Sequence, residues 1–150
     1  MKRLIGVIGG RECSPEICNI AYQVGKLIAQ NGYGLVCGGR SGVMEAAARG
    51  CAEHGGLTVG ILTGEDKSEA NAYIQVAIPT GLGIARNILV VRAAEGLIAI
   101  DGHYGTLSEI AFALQLQKPL VGIRTWNVEP EMPTAQSAAE AMEKLLQLMP

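Results

Sequence analysis

Aromatic side chains make up only 4% of this 150-residue sequence, with one Phe and one Trp, so aliphatic residues have to fill its core. Basic charge is not in excess either. Twelve Lys and Arg against 14 Asp and Glu leave a formal net charge of -2, which argues against a general nucleic-acid or membrane-surface binder. Long apolar runs are missing: the longest uncharged stretch, Ala70 to Ala85, is interrupted by Asn71, Gln75, Pro79, Gly81 and Gly83 and does not resemble a membrane span. No G-K-[ST] occurs, so a P-loop is excluded. Gly6-Val7-Ile8-Gly9-Gly10-Arg11 does not fit G-x-G-x-x-G, and Val36-Cys37 offers no acid to a ribose, which disfavours a nicotinamide dehydrogenase.

Cys13, Cys18, Cys37 and Cys51 form no C-x-x-C pair and no metal-ligand spacing with His54 or His103. They are expected to act as small buried hydrophobes, with Cys13 set apart by its place in a loop. No metal is called for. Met1-Lys2-Arg3-Leu4 runs into a strand pattern without a small-residue cleavage region, so the expected location is cytoplasmic.

What the chain does have is glycine, 20 of them, in 49% hydrophobic surroundings. This length suits one domain spanning 1–150. Arg3 to Gly9 is a short apolar run closed by glycine, a buried strand pattern; Ser14-Pro15-Glu16 then starts a helix that should run to about Gln30. The alternation continues with strands at Gly34–Cys37, Leu57–Leu62, Tyr73–Ile78, Leu97–Ile100 and Leu120–Ile123. Helices are expected at Val43–Glu53, Ile84–Ala94, Thr106–Gln117 and Ala135–Met149, and Thr63 to Asn71 reads as an exposed connection. Strands alternating with helices imply right-handed crossovers: an α/β, three-layer Rossmann-like fold with a parallel sheet of about six or seven strands. Ligands then bind outside the carboxyl ends of the strands, where strand order reverses.

The glycines gather at that edge. Gly9-Gly10-Arg11, Gly38-Gly39-Arg40-Ser41-Gly42, Thr80-Gly81-Leu82-Gly83 before Arg86-Asn87, and Asp101-Gly102-His103-Tyr104-Gly105-Thr106 each follow a strand and lead into a helix. Glycine lets backbone N–H groups turn toward a ligand and a helix start adds partial positive charge, so converging junctions of this kind suit an anion. Arg11, Arg40, Arg86 and Arg124 are predicted on the same edge, where a guanidinium can grip phosphate through paired hydrogen bonds; Arg40 and Arg86, embedded among glycines, are the stronger candidates. Thr106-x-x-Glu109 has the spacing of a capping box, which explains both residues structurally; the other reading puts the Glu109 carboxylate one turn into a helix opening onto the pocket. His103 is a proton donor, a ligand contact or a solvated loop residue. His54 suits the C-terminal end of its helix, and Asp101 suits either a ribose hydroxyl or a turn.

Three ordered stretches, Gly38-Gly39-Arg40-Ser41-Gly42-Val43-Met44-Glu45, Thr80-Gly81-Leu82-Gly83-Ile84-Ala85-Arg86-Asn87 and Gly102-His103-Tyr104-Gly105-Thr106-Leu107-Ser108-Glu109, resemble the successive motifs of the LOG-like (SLOG) Rossmann superfamily. Within it, the chain is most similar to the small molybdenum-cofactor carrier-like branch, formerly grouped under a lysine decarboxylase label. That resemblance implies a homo-oligomer, dimer or tetramer, with a pocket for a phosphorylated ligand, a nucleoside monophosphate or molybdenum cofactor. It places Gly9, Gly10, Gly38, Gly39, Arg40, Ser41, Gly42, Met44, Gly81, Arg86, Asn87, Gly102, His103, Tyr104, Gly105, Thr106 and Glu109 at the ligand. Carrier members bind the phosphorylated pterin unchanged. LOG enzymes, with P-G-G-x-G-T-x-x-E, release the base from nucleoside monophosphates; there Arg86 would hold phosphate or ribose, and Glu109 would stabilise an oxocarbenium-like transition state or orient water. Asp101-Gly102-His103 stands where those enzymes have Pro-Gly-Gly, bringing a negative charge and an imidazole to a loop that wraps phosphate, so binding is favoured over hydrolysis. Lysine decarboxylation is rejected, because pyridoxal phosphate needs a pocket lysine and Lys2, Lys26, Lys67, Lys118 and Lys144 all avoid the glycine loops. No other cofactor is required.

Overall fold

A computed structural model describes all 150 residues. Its strands are β1 (Leu4–Gly9), β2 (Gly34–Cys37), β3 (Thr58–Leu62), β4 (Val76–Pro79), β5 (Gly96–Ile100) and β6 (Leu120–Ile123); its α-helices are α1 (Pro15–Gln30), α2 (Val43–Glu53), α3 (Asn87–Ala93), α4 (Tyr104–Gln115) and α5 (Ala138–Leu148). All strand pairs are parallel, in the order β4-β3-β2-β1-β5-β6. The chain therefore builds outward from β1 to β4, then returns to the other side of β1 to lay down β5 and β6. The order reverses between β1 and β5, and the carboxyl ends of that pair, Gly9 beside Ile100, frame the crevice.

Period-two alternation along the central strands sorts the core into two layers. Ile5 and Val7 of β1, with Ile98 and Ile100 of β5, pack under α1, α2 and α5. Ile8 of β1, with Leu97 and Ala99 of β5, packs under α3 and α4. The α/β/α, Rossmann-like sandwich anticipated from the alternation of elements is thus formed. Helix starts behave as their residues dictate: Ser14 Oγ accepts from Ile17 N at 3.2 Å with Pro15 just inside α1, and Ser137 Oγ accepts from Glu140 N at 3.2 Å.

Several expectations are corrected. The fourth strand is Val76–Pro79 and not Tyr73–Ile78, because Asn71 folds the chain into a turn: its Oδ1 accepts from Tyr73 N at 3.0 Å and its carbonyl from Ile74 N at 3.2 Å. Pro79 is tolerated because β4 is an edge strand. The helix expected over Ile84–Ala94 is a 3-10 turn, Gly83–Arg86, followed by a short α3. The last helix begins at Ala138 and not Ala135, since Ser137 is its cap. Nor are all four cysteines isolated thiols. Cys13 and Cys18 are joined in a disulfide across the first turn of α1, whose Ser14-Pro15 start brings their Cα atoms to 5.5 Å. Cys37 and Cys51 are free and buried, as expected of small hydrophobes, and burial pushes their thiols up to about 12 and about 11. No helix is long and apolar enough to cross a membrane.

Candidate functional site

A hollow of about 390 Å³ opens at the carboxyl ends of β1, β2 and β5. Gly9 to Glu12 after β1, Gly38 after β2, Ile84, Arg86 and Asn87 at the turn into α3, and His103 to Thr106 at the start of α4 converge on it, with Met44, Thr63 and Glu109 in the wall. Segments remote in the chain thus meet at the switch point of the sheet. The volume lies in the range of about 300–1,000 Å³ common to small-molecule sites.

Main-chain donors dominate part of this lining. The N–H groups of Gly10, Arg11, Gly38 and His103 donate to no backbone carbonyl, and those of Tyr104, Gly105 and Thr106 belong to the first turn of α4, whose opening bond is Leu107 N to His103 O at 3.0 Å. Two consecutive left-handed residues create that loop: Asp101 at φ +51 and Gly102 at φ +95. Thr125 Oγ1 holds the turn by donating to Asp101 O at 2.6 Å. A Cβ on Gly102 would run into the Thr106 side chain, so glycine is required by space as well as by φ.

Arg86 and Glu109 are buried charged residues, 8% and 7% exposed, in the wall of this hollow. The Arg86 Nε has no hydrogen-bond partner. Its guanidinium lies against Gly38, where any Cβ would collide with it and with Met44 Sδ. Burial lowers the Arg86 pKa, but a guanidinium nevertheless stays protonated. For Glu109 burial dominates over the attraction of Arg86 and holds the carboxyl up to about 8, so at neutral pH it is mostly a neutral acid. The wall therefore presents the buried Arg86 cation, main-chain N–H groups and a Glu109 carboxyl kept neutral by burial, with Arg11 and Glu12 adding one charge of each sign.

The capping-box interpretation of Thr106 and Glu109 is overturned. The cap of α4 is His103, so both residues lie inside the helix; each is buried, at 3% and 7% exposure. Gly102 at φ +95 lets the helix begin at Tyr104 and not at Thr106. Asn87 Nδ2 donates to Ser108 Oγ at 3.1 Å and Ser108 Oγ to Gly105 O at 2.6 Å, tying the α3 start to the α4 start across the hollow.

Of the residues expected at the ligand, Gly9, Gly10, Gly38, Met44, Arg86, Asn87, His103, Tyr104, Gly105, Thr106 and Glu109 line the hollow, and Gly39, Arg40, Ser41, Gly42, Gly81 and Gly102 do not. Ser41 Oγ donates to Arg11 O at 2.8 Å and Val43 N to Gly10 O at 3.0 Å, so the second loop braces the first. Gly42, at φ +68, lies against the Gly10 and Arg11 backbone with no space for a Cβ. Arg40 turns to Glu69 at 3.3 Å and Thr63 at 3.5 Å, and Gly81 sits near Glu65. Arg124 pairs with Glu16 at 2.8 Å, while Arg11 does line the hollow. His54 Nδ1 lies 2.8 Å from Gly50 O at the end of α2, the helix-end role expected of it. Glu12, Thr63 and Ile84 are wall residues that the motifs did not single out. Trp126 was missed as well: its Nε1 donates to His103 O at 2.9 Å and its ring stacks on Tyr104, with centroids 6.1 Å apart and planes at 26°. Its being the sole tryptophan was the one signal available.

Comparison with known proteins places this geometry in a family. The model of the SLOG cluster4 family matches residues 2–148. An uncharacterized protein of Archaeoglobus fulgidus is 43% identical over 138 residues, covering 92% of this chain and 91% of that one. Among solved structures, the molybdenum cofactor binding protein of Rippkaea orientalis superposes with a TM-score of 0.92 at 36% identity, covering 99% of this chain and 98% of that one. The molybdenum cofactor carrier protein MCP of Chlamydomonas reinhardtii gives 0.89 at 34% identity, covering 99% and 98%.

Proposed function

This chain belongs to the SLOG cluster4 family, and from that premise we propose that it binds and carries a small phosphorylated, nucleotide-like ligand, with molybdenum cofactor as the specific candidate. The observation that carries the proposal is the wall itself: backbone amides without backbone acceptors from the β1, β2 and β5 loops surround the buried Arg86, whose Nε is unpartnered. Leaving the buried Arg86 Nε without an acceptor is costly, and a phosphate group supplies acceptors to it and to the loop amides at once. The likeness to the Rippkaea and Chlamydomonas proteins, whose names state that they bind or carry molybdenum cofactor, supports the choice of ligand class.

Hydrolysis of nucleoside monophosphates is the weaker alternative. Stabilising an oxocarbenium-like centre needs an ionised carboxylate, whereas burial raises the Glu109 pKa to about 8 and so favours its neutral form. A neutral carboxyl can instead donate to a ligand oxygen. Native mass spectrometry of the protein purified from a molybdenum-replete host is expected to reveal a bound phosphorylated species. Incubation with purine and pyrimidine monophosphates is expected to leave the base attached; steady release of free base, abolished in Glu109→Gln, would replace carriage with catalysis.

The same proposal extends to assembly and place. Val76 and Ile78 on the unpaired edge of β4 and Ile84 beyond it are exposed, at 44%, 44% and 78%, which fits a chain that associates with copies of itself as a dimer or tetramer; the cytoplasm is the compartment proposed for it. Sedimentation at a monomer's mass at high protein concentration would refute the assembly.

A further inference from the structure

Tyr104 is the first residue of α4 and part of the hollow's wall, yet it is 80% exposed. The indole of Trp126 lies along its ring at 6.1 Å between centroids and 26° between planes, an offset stack. Trp126 is fixed in turn by its Nε1 bond to the carbonyl of His103, another residue of the wall. The chain thus orders two aromatic rings next to each other at the mouth of a polar hollow, in a sequence with only one Trp and one Phe. Stacking on Trp126 leaves the rest of the Tyr104 ring open. The Trp126 to His103 bond means that the indole cannot turn away without breaking a contact to the loop that opens α4, and Tyr104 packs along that fixed ring.

Resting on the phosphate-binding reading of the hollow, we infer that the Tyr104–Trp126 pair is a stacking platform for a flat heteroaromatic ring joined to the ligand's phosphate. The deep wall at Arg86 and the amide loops takes the anion, and the rim takes the ring. A flat π-face stacked on an aromatic side chain gains dispersion and sheds water from both surfaces without demanding a particular hydrogen-bond pattern. The platform is therefore selective for the presence of a planar ring and tolerant of its identity. Tyr104 touches the ligand; Trp126 acts through Tyr104 as a positioning residue.

Three probes separate the parts: guanosine 5′-monophosphate, ribose 5-phosphate and inorganic phosphate, titrated by calorimetry against the full chain and followed in parallel by the emission of the sole tryptophan. The nucleotide is expected to bind at least tenfold more tightly than ribose 5-phosphate and alone to change Trp126 emission. Tyr104→Ala should remove most of that preference, weakening the nucleotide by a much larger factor than ribose 5-phosphate or phosphate, and Tyr104→Phe should keep it. Trp126→Phe, which retains a ring but not the bond to His103, should give an intermediate loss. Size-exclusion chromatography of each variant controls for a change of assembly. Equal affinity for nucleotide and ribose 5-phosphate, or a Tyr104→Ala loss shared equally by all three probes, would overturn the platform while leaving the phosphate site standing. Failure of the parent protein to bind any of the three would remove the platform and the phosphate site together.

Discussion

Glu109 carries a stability cost that can be measured at the scale of one residue. Its ordinary pKa is 4.5, and burial holds it at about 8 in the fold. Between those values the unfolded chain has released the proton and the folded chain has kept it. The folded state binds more protons, so unfolding free energy falls as pH rises, by up to about 1.4 kcal/mol per pH unit from this group. Its contribution is fully present below about 4.5 and lost by the time pH has passed about 8. Glu109→Gln replaces the carboxyl with a neutral group of similar shape, so urea midpoints of parent and variant should agree near pH 4.5 and separate steadily up to pH 8, with the variant more stable. Parallel curves across that range would mean that Glu109 is not held neutral by burial. At this scale the sequence was informative where chemistry and position coincided, as for Arg86 and Tyr104. It misled where partners were remote: nothing near Arg40 announces Glu69, and nothing near Arg124 announces Glu16.

At the scale of elements, two helices cross where glycine would not be chosen for helix propensity. Gly25 of α1 faces Ala47 O of α2, and Gly50 of α2 faces Tyr22 O of α1, each too closely to admit a Cβ. On propensity alone, glycine to alanine inside a helix gains about 1 kcal/mol. Here the added methyl would strike main-chain atoms of the partner helix, and forced repacking of a filled interface costs about 1–3 kcal/mol. Gly25→Ala and Gly50→Ala are therefore expected to lower the thermal midpoint, most of all together, and a stabilised variant would show that the crossing is loose. Long periodic elements such as α1 and α2 were legible to their ends, because a Ser14-Pro15 start and an Asn31-Gly32 stop are local signals. The fourth strand and the start of α4 were not, because one depends on an Asn71 turn and an edge position and the other on two left-handed residues, Asp101 and Gly102. The Thr106-x-x-Glu109 spacing had a sufficient local explanation, and tertiary burial displaced it.

For the whole molecule, the hollow belongs to neither half of the sheet. Its amides come from loops after β1 and β2 on one side of the strand-order reversal and after β5 on the other, and Arg86 arrives from the chain that returns beyond β4. The Rossmann-like order was legible because alternating elements leave few arrangements of a parallel sheet, and the convergence of glycine loops follows from that order. A ligand that bridges both halves binds only when the entire sheet is assembled, so its binding energy enters global unfolding and not the melting of one loop. At a hundredfold excess over its dissociation constant, a phosphorylated ligand should raise unfolding free energy by about 2.7 kcal/mol. The gain should appear in one cooperative transition, with hydrogen exchange slowed in β1 and β5 alike. Gly38→Ala, whose new methyl would displace the Arg86 guanidinium, should lose most of that ligand-dependent gain. A ligand that protects only the loop after β5, or a Gly38→Ala protein stabilised as much as the parent, would place the binding energy elsewhere than across the strand-order reversal.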